Sequence, residues 1–515
     1  RQYIMRPSSV IPGWRLSRPV AALALCALTL APLSTASAQP AVAPADRDRM
    51  VLGVNISPAT LDPTSNPSEG IRIVTYDNIF EGLTRLDEQG RIQPLLARSW
   101  TVSPDGLDYS FTLQPDVTFH DGHAFDCETV RFTLNRAAAP ESVNPQKQVF
   151  QNIDSVTCPS ALEAHVRLRT PHGSFLSELA WDDAAMLSPT SAATNGLHPI
   201  GTGPFVFSSW KRGESVTLER NDHYWGQKAK LKTVVFRFFS DPMAAANALM
   251  DGQVDAYPSF PAPEMAEHFT TDPRFVVTTG LAPFKGLLAL NNRRKPLRDL
   301  RVRQALAYAL DRAGMAEALD IPGARVLGSH MSPENKDYTD FSTLYSYDPQ
   351  KARALLKEAG VEPGTRLRLL LPPIGYARAT GELVAAYLEQ VGITVSIVQV
   401  EWPAWLSQVF GKHDFDMTII AHTEPDDIGI YARSDYYFGY NSPTFQQQYA
   451  AYENTADSTA RHNLAVAMQQ TLAHDVPNVF LFFVPRTNII RRNITGLWNN
   501  LPLPACPMAD VQWRP

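Results

Sequence analysis

Much of what marks a catalytic, zinc-binding or nucleic-acid-binding chain is missing here. Only 4 cysteines occur in 515 residues, none in a C-x-x-C pair or beside clustered histidines, which argues against a structural zinc site. Nucleophile-elbow, H-E-x-x-H and Walker sequences are absent. Acids outnumber bases, 52 Asp+Glu against 46 Lys+Arg, and no basic stripe offsets the net charge of −6, so a nucleic-acid partner is not expected. Beyond residue 31 no apolar run approaches the roughly 20 residues a membrane-crossing helix needs.

What is present begins with an export signal. From Met5 the chain carries Arg6, Arg15 and Arg18, an apolar run over 20–31 and then STASA over 34–38. Basic start, short apolar core and A-x-A site predict a secretory signal peptide over 1–38, cleaved after Ala38. Cys26 lies inside the apolar core behind Leu25, so no lipid anchor is expected, and the product is assigned to the periplasm. Removing 1–38 takes four arginines and no acids, moving the net charge from −6 to −10. Cys127, Cys158 and Cys506 remain; an oxidising compartment permits one disulfide, and Cys127–Cys158 is one candidate pairing. A chain of this length divides into two or three lobes.

Strand and helix signals alternate throughout. Apolar runs at 50–56, 234–239, 366–371, 394–400, 414–420 and 477–484 read as strands, as do alternating stretches at 109–119 and within 200–226. Helical spacing occurs at 71–84, 127–136, 242–250, 297–310, 349–359 and 380–391. The chain is therefore α/β with mixed sheets. With no repeat and no low-complexity linker, its lobes are expected to be joined by crossing strands.

A set of short motifs follows a familiar order: LDP at 61–63, NIFEGL at 78–83, PLLARSW at 94–100, FHDG at 119–122, GTGPF at 201–205, RNDHYW at 220–225, DLRVRQA at 299–305 leading to ALDR at 309–312, and VGI at 391–393. In that order they resemble the extracellular solute-binding proteins of the peptide/nickel family (family 5), which serve ABC importers, over nearly the whole chain after residue 38. The resemblance implies a bilobed fold of the type II periplasmic-binding-protein kind, with two hinge strands and a subdomain inserted in lobe I. Carried onto this chain, it gives lobe I over 39–77, 200–278 and 483–515, the insert over 78–199 and lobe II over 279–482. A monomer is implied, with a small-molecule ligand and the permease subunits of an inner-membrane importer as partners, no cofactor and no catalysis. Of the motif residues, Gly201 and Gly203 read as turn glycines supplying unusual backbone angles.

The richest polar stretch is 420–440, IAHTEPDDIGIYARSDYYFGY, after a predicted strand, and ligands of α/β folds sit beyond strand carboxyl ends. His422, Glu424, Asp426, Asp427, Tyr431, Arg433 and Tyr436 are the candidate ligand-binding residues, joined by Trp402 and by Tyr76, the latter at the end of 60–76, an alternative location. The bland reading of the acids is a capped, solvated loop. The family's peptide binders carry a tryptophan and, three residues on, an aspartate for the ligand amine. Here His422 stands at the tryptophan position and that aspartate has no counterpart. The expected ligand is therefore a modified peptide, amino-acid conjugate or opine-like compound. The alternatives are a nickel-type metal chelate, with His422 and nearby acids, or a hydrolase using Glu424 and His422.

Overall fold

The computed structural model describes residues 47–424 and 426–514, without the side chains of Trp402 and Pro403. The predicted signal segment lies outside the described residues. Among them, no helix is long and apolar enough to cross a membrane.

Two large sheets organise the chain. The first has seven strands in the order Phe275–Gly280, Arg486–Arg491, Ala256–Tyr257, Arg49–Val54, Thr233–Phe238, Ser215–Arg220 and Phe205–Lys211. The second has six, Arg325–Val326, Asn478–Phe483, Lys285–Leu290, Met417–His422, Thr365–Leu371 and Ile393–Gln399. Its central strands read as unbroken apolar runs because both faces are covered: all six residues of Asn478–Phe483 and of Lys285–Leu290 are buried. A four-stranded sheet between residues 97 and 168 has a core of its own, built on Phe111, Phe150, Val166 and Phe175.

The chain passes between the two large sheets at two adjacent places. Gly280 pairs with Arg486 in the first sheet, and Gly286 with Phe482 in the second. Only 281–284 and 484–485 separate these paired strands, so two neighbouring crossings replace the flexible tether that the sequence lacks.

The recurring motifs meet at shared buried groups. Glu81 accepts hydrogen bonds from the Thr202 hydroxyl at 2.6 Å, the Tyr224 hydroxyl at 2.5 Å and the Trp225 indole at 2.9 Å, which ties three of the motifs to one carboxylate. Gly201 and Gly203 are not the turn glycines that the sequence predicts. Neither has a positive φ; instead a Cβ on them would meet the carbonyl oxygens of Ile79 at 1.9 Å and Asn78 at 2.4 Å. Close backbone approach, not an unusual angle, requires glycine there.

A second difference concerns 71–84. The helix covers only Glu69–Thr75; Asp77 takes a left-handed φ of 52° and turns the chain, so Ile79, Phe80 and Leu83 reach the core from a loop. The helix at Cys127–Ala138 matches its prediction, with Asp126 and Thr129 forming a capping box, a cap worth about 1 kcal/mol. Cys127 and Cys158 form a disulfide, and Cys506 is buried and free.

Candidate functional site

Strand register begins the site. Lys285 and His422 stand opposite one another on neighbouring antiparallel strands of the second sheet, so their side chains share a face. Beyond His422 the chain reaches Asp426, whose left-handed φ of 53° turns it into the short helix Asp427–Ala432. That turn brings Asp427 back to the strands. Its Oδ1 lies 2.8 Å from Lys285 Nζ and 3.1 Å from His330 Nε2, and its Oδ2 lies 3.3 Å from His422 Nδ1.

The network then extends outward. His330 Nδ1 is 2.9 Å from the Tyr431 hydroxyl, which accepts from Asn478 at 3.1 Å, while His422 Nε2 is 3.0 Å from the Tyr437 hydroxyl. Burial alone would raise the Asp427 carboxyl, but Lys285 and His330 hold it well below the usual range. Burial pushes His330 down to about 4 against the pull of Asp427, so the imidazole is neutral near pH 7. A neutral ring can donate from Nε2 to Asp427 and accept from Tyr431, which satisfies the chain from Asn478 to Asp427.

In front of this network lies a cavity of about 390 Å³. Gln89, Arg91, Ser174 and Ser177 line it on one side, and Lys285, Glu334, Asn335, Asp426, Tyr452 and Arg461 on the other. Glu334 Oε1 accepts from the Ser332 hydroxyl. Its buried Oε2 has no partner, and burial raises its carboxyl above the ordinary value. Asn335 donates to Asp426 at 2.7 Å. Contacts join the two walls: Gly173 N donates to the Glu453 carbonyl at 2.6 Å, Arg461 to the Ser174 hydroxyl at 3.0 Å, and His172 Nδ1 lies 2.8 Å from Glu453. Elsewhere Thr423 donates to Glu69 at 3.4 Å.

The candidate residues divide by position. Asp426 lines the cavity. His422 and Asp427 belong to the network behind it, and Glu424 is exposed while its carbonyl accepts from Lys285 at 2.6 Å. Tyr431 and Tyr76 require correction as walls: the first is fully buried, and the second is buried with its hydroxyl between Ala180 O at 2.8 Å and Leu86 N at 3.0 Å. Both support the site from within the fold. Arg433 is exposed, 5.1 Å above the half-buried Tyr436 ring, and neither residue lines this cavity. The Trp402 side chain lies outside the described residues. Sequence reasoning missed Lys285, His330, Glu334 and Arg461. Lys285 left a signal, as the one charge opening a wholly apolar strand; Glu334 left none.

His330, His422 and Asp427 offer ligand atoms within 4.8 Å of one another, the geometry of a metal site. They do not fit one. The Lys285 ammonium occupies the cation's place on Asp427, and Tyr431 and Tyr437 engage the outward ring nitrogens.

The model of the bacterial extracellular solute-binding proteins, family 5 Middle, matches residues 91–442. The chain belongs to this family. As a family 5 protein it is the solute-binding component of an ABC importer and not an enzyme. It is similar to the glutathione-binding protein GsiB of Salmonella paratyphi A, 27% identical over 500 residues that cover 92% of this chain and 95% of that protein. In fold it is similar to the substrate-binding protein CtaP of Listeria monocytogenes, at a TM-score of 0.81 and 22% identity, covering 91% of this chain and 99% of that one. It is also similar to the periplasmic binding protein DppA of Helicobacter pylori in complex with the peptide STSA, at a TM-score of 0.76 and 23% identity, covering 91% and 98%. These structures share the bilobed family 5 fold.

Proposed function

We propose that this protein captures a modified short peptide or amino-acid conjugate in the periplasm and delivers it to the permease of its importer. The carrying observation is the 390 Å³ cavity walled from two sides, with an unpartnered carboxylate oxygen on Glu334 inside it. Its volume falls in the range of small-ligand pockets, roughly 300–1,000 Å³. A buried carboxylate oxygen without a donor is costly, and a ligand ammonium removes that cost. Acids and bases on the walls favour a zwitterion over a bare ion. The glutathione named for GsiB is a peptide of this kind, which supports the reading. Lobe closure about the two crossings would enclose the solute, because only the closed form gives it both walls.

Mass spectrometry of solute released from the purified protein tests this. The expected result is a compound carrying both an amine and a carboxylate; stoichiometric metal surviving dialysis would favour the chelate reading instead. With the identified solute, Glu334→Gln should weaken binding by about 30-fold or more in calorimetry, since leaving one charged partner desolvated costs roughly 2–5 kcal/mol. Unchanged affinity would remove Glu334 from the site.

A further inference from the structure

Four arginines are buried among the described residues: Arg72, Arg303, Arg312 and Arg486. Three have a carboxylate or several carbonyls against the guanidinium. Arg72 pairs with Asp182 at 2.7 Å. Arg303 donates to the carbonyls of Leu297, Arg298, Asp475 and Val476 at 2.9–3.1 Å. Arg312 donates to those of Phe480, Ser342 and Tyr345 at 2.8–3.1 Å.

Arg486 is different. It is 7% exposed, its Nε has no hydrogen-bond partner, and Nη1 makes one long bond of 3.4 Å to the Asn500 carbonyl. Among the described residues it makes no ion pair with an acid. Glu88 acts on it only through space, having committed its Oε1 to the amides of Asn499 and Asn500 at 2.7 and 3.0 Å. The nearby Cys506 thiol stays protonated, pushed up to about 11 by burial. An unpaired guanidinium out of water is expensive unless something neutralises it.

The space for that something exists. Arg486 lines a cavity of about 80 Å³ with Gly53, Asn55, Ser259 and Pro504, at the carboxyl end of the strand Arg49–Val54. Glu69 and the exposed Ile56 also line it, and Glu69 is the residue that touches Thr423 of the other large-sheet unit. Arg486 itself opens its strand immediately after the second crossing, at 484–485. The cavity therefore sits where the first sheet faces the second.

We infer that this cavity is an anion subsite in which Arg486 receives a carboxylate of the transported solute, through Nε–H and a second guanidinium N–H. The planar fork suits a carboxylate, which accepts two parallel bonds. Glu69 on the same cavity restricts the choice, because a compact dianion would be repelled while a carboxylate beside an ammonium would not. The inference rests on the solute-binding reading above, but its probe does not depend on which solute is carried.

The test uses acetate as the probe, against chloride at equal ionic strength, on the purified chain freed of co-purified solute. Thermal midpoints and the Arg486 Nε–Hε resonance are followed in wild type, Arg486→Gln and Arg486→Lys. Wild type should show a saturable, acetate-specific rise in midpoint and a shifted Nε–Hε resonance. Arg486→Gln should lose the rise completely and, without acetate, be at least as stable as wild type, because a desolvated charge has been removed. Arg486→Lys keeps the charge without the fork and should show a weaker rise. A wild type blind to acetate, an acetate response surviving in Arg486→Gln, or an Arg486→Gln protein destabilised with and without acetate would each overturn the subsite. The last would make Arg486 a structural strut to Asn500. Failure of the solute-binding reading would appear elsewhere, as the absence of any released solute.

Discussion

Two kinds of buried charged group occur among the described residues, and they are built on opposite principles. Around Asp427 the charges lie against one another: Lys285 and His330 engage Oδ1, His422 Nδ1 stands 3.3 Å from Oδ2, which accepts no hydrogen bond, and Tyr431 and Tyr437 engage the imidazoles. Arg486 Nε and Glu334 Oε2, among the described residues, are buried with neither a hydrogen bond nor an ion pair. A network of mutually engaged charges fixes geometry and has less left to offer a ligand. An open valence is a cost in the empty protein that a ligand can relieve. The polar stretch 420–440 thus supplies mostly framework, while Glu334 and Arg486, the groups proposed to meet a solute, come from outside it.

The sharpest way to break this contrast is Lys285→Met. It leaves Asp427 buried without its cation and should cost about 3–5 kcal/mol in urea unfolding. The pH dependence has a definite sign. Because the folded carboxyl is depressed, its contribution is complete above the unfolded value of about 3.9 and is lost as pH falls through the folded value. Lys285→Met should weaken that acid-side loss. A variant as stable as wild type would mean that the network is not held by its central pair.

His172 tests a third arrangement, a charge paired with acids on two separate segments, Glu178 and Glu453. Glu178 and Glu453 hold its imidazole up to about 10 against burial. The contact therefore contributes fully below about 6.5, the unfolded value, and is lost as pH rises through about 10. His172→Gln should cost roughly 1–3 kcal/mol near neutral pH and flatten the alkaline fall in stability. An unchanged alkaline limb would mean that the His172 pairing contributes nothing to stability.

Smaller effects sharpen the same contrast. Tyr431→Phe removes one hydroxyl from a satisfied chain and should cost about 1–2 kcal/mol of stability while solute affinity stays near wild type. A selective loss of affinity would return Tyr431 to the cleft wall. Arg433→Ala, at an exposed side chain, should change stability by no more than about 0.5 kcal/mol.

Legibility in the sequence followed the range of the forces involved. Strands such as Thr365–Leu371 and Asn478–Phe483, and the helix Pro242–Met250, were readable because burial imposes a local periodicity or an unbroken apolar run. The helix over 71–84 was overread because the same apolar residues serve equally well in a turn once Asp77 bends the chain. Tyr431 and Tyr76 read as site residues because composition cannot say which way a side chain faces.

By itself the sequence determined the α/β class, most element positions and, through the ordered motifs that converge on Glu81, the family fold. Those depend on local patterns and on residue sets that must occur together. Only the tertiary structure decided which charges are spent and which are free. Lys285, Asp427 and His330 lie far apart in the chain, as do Arg486 and Asn55, and their pairing or isolation depends on strand register and burial. Desolvation makes a missing partner costly, and it exists only once the chain has folded.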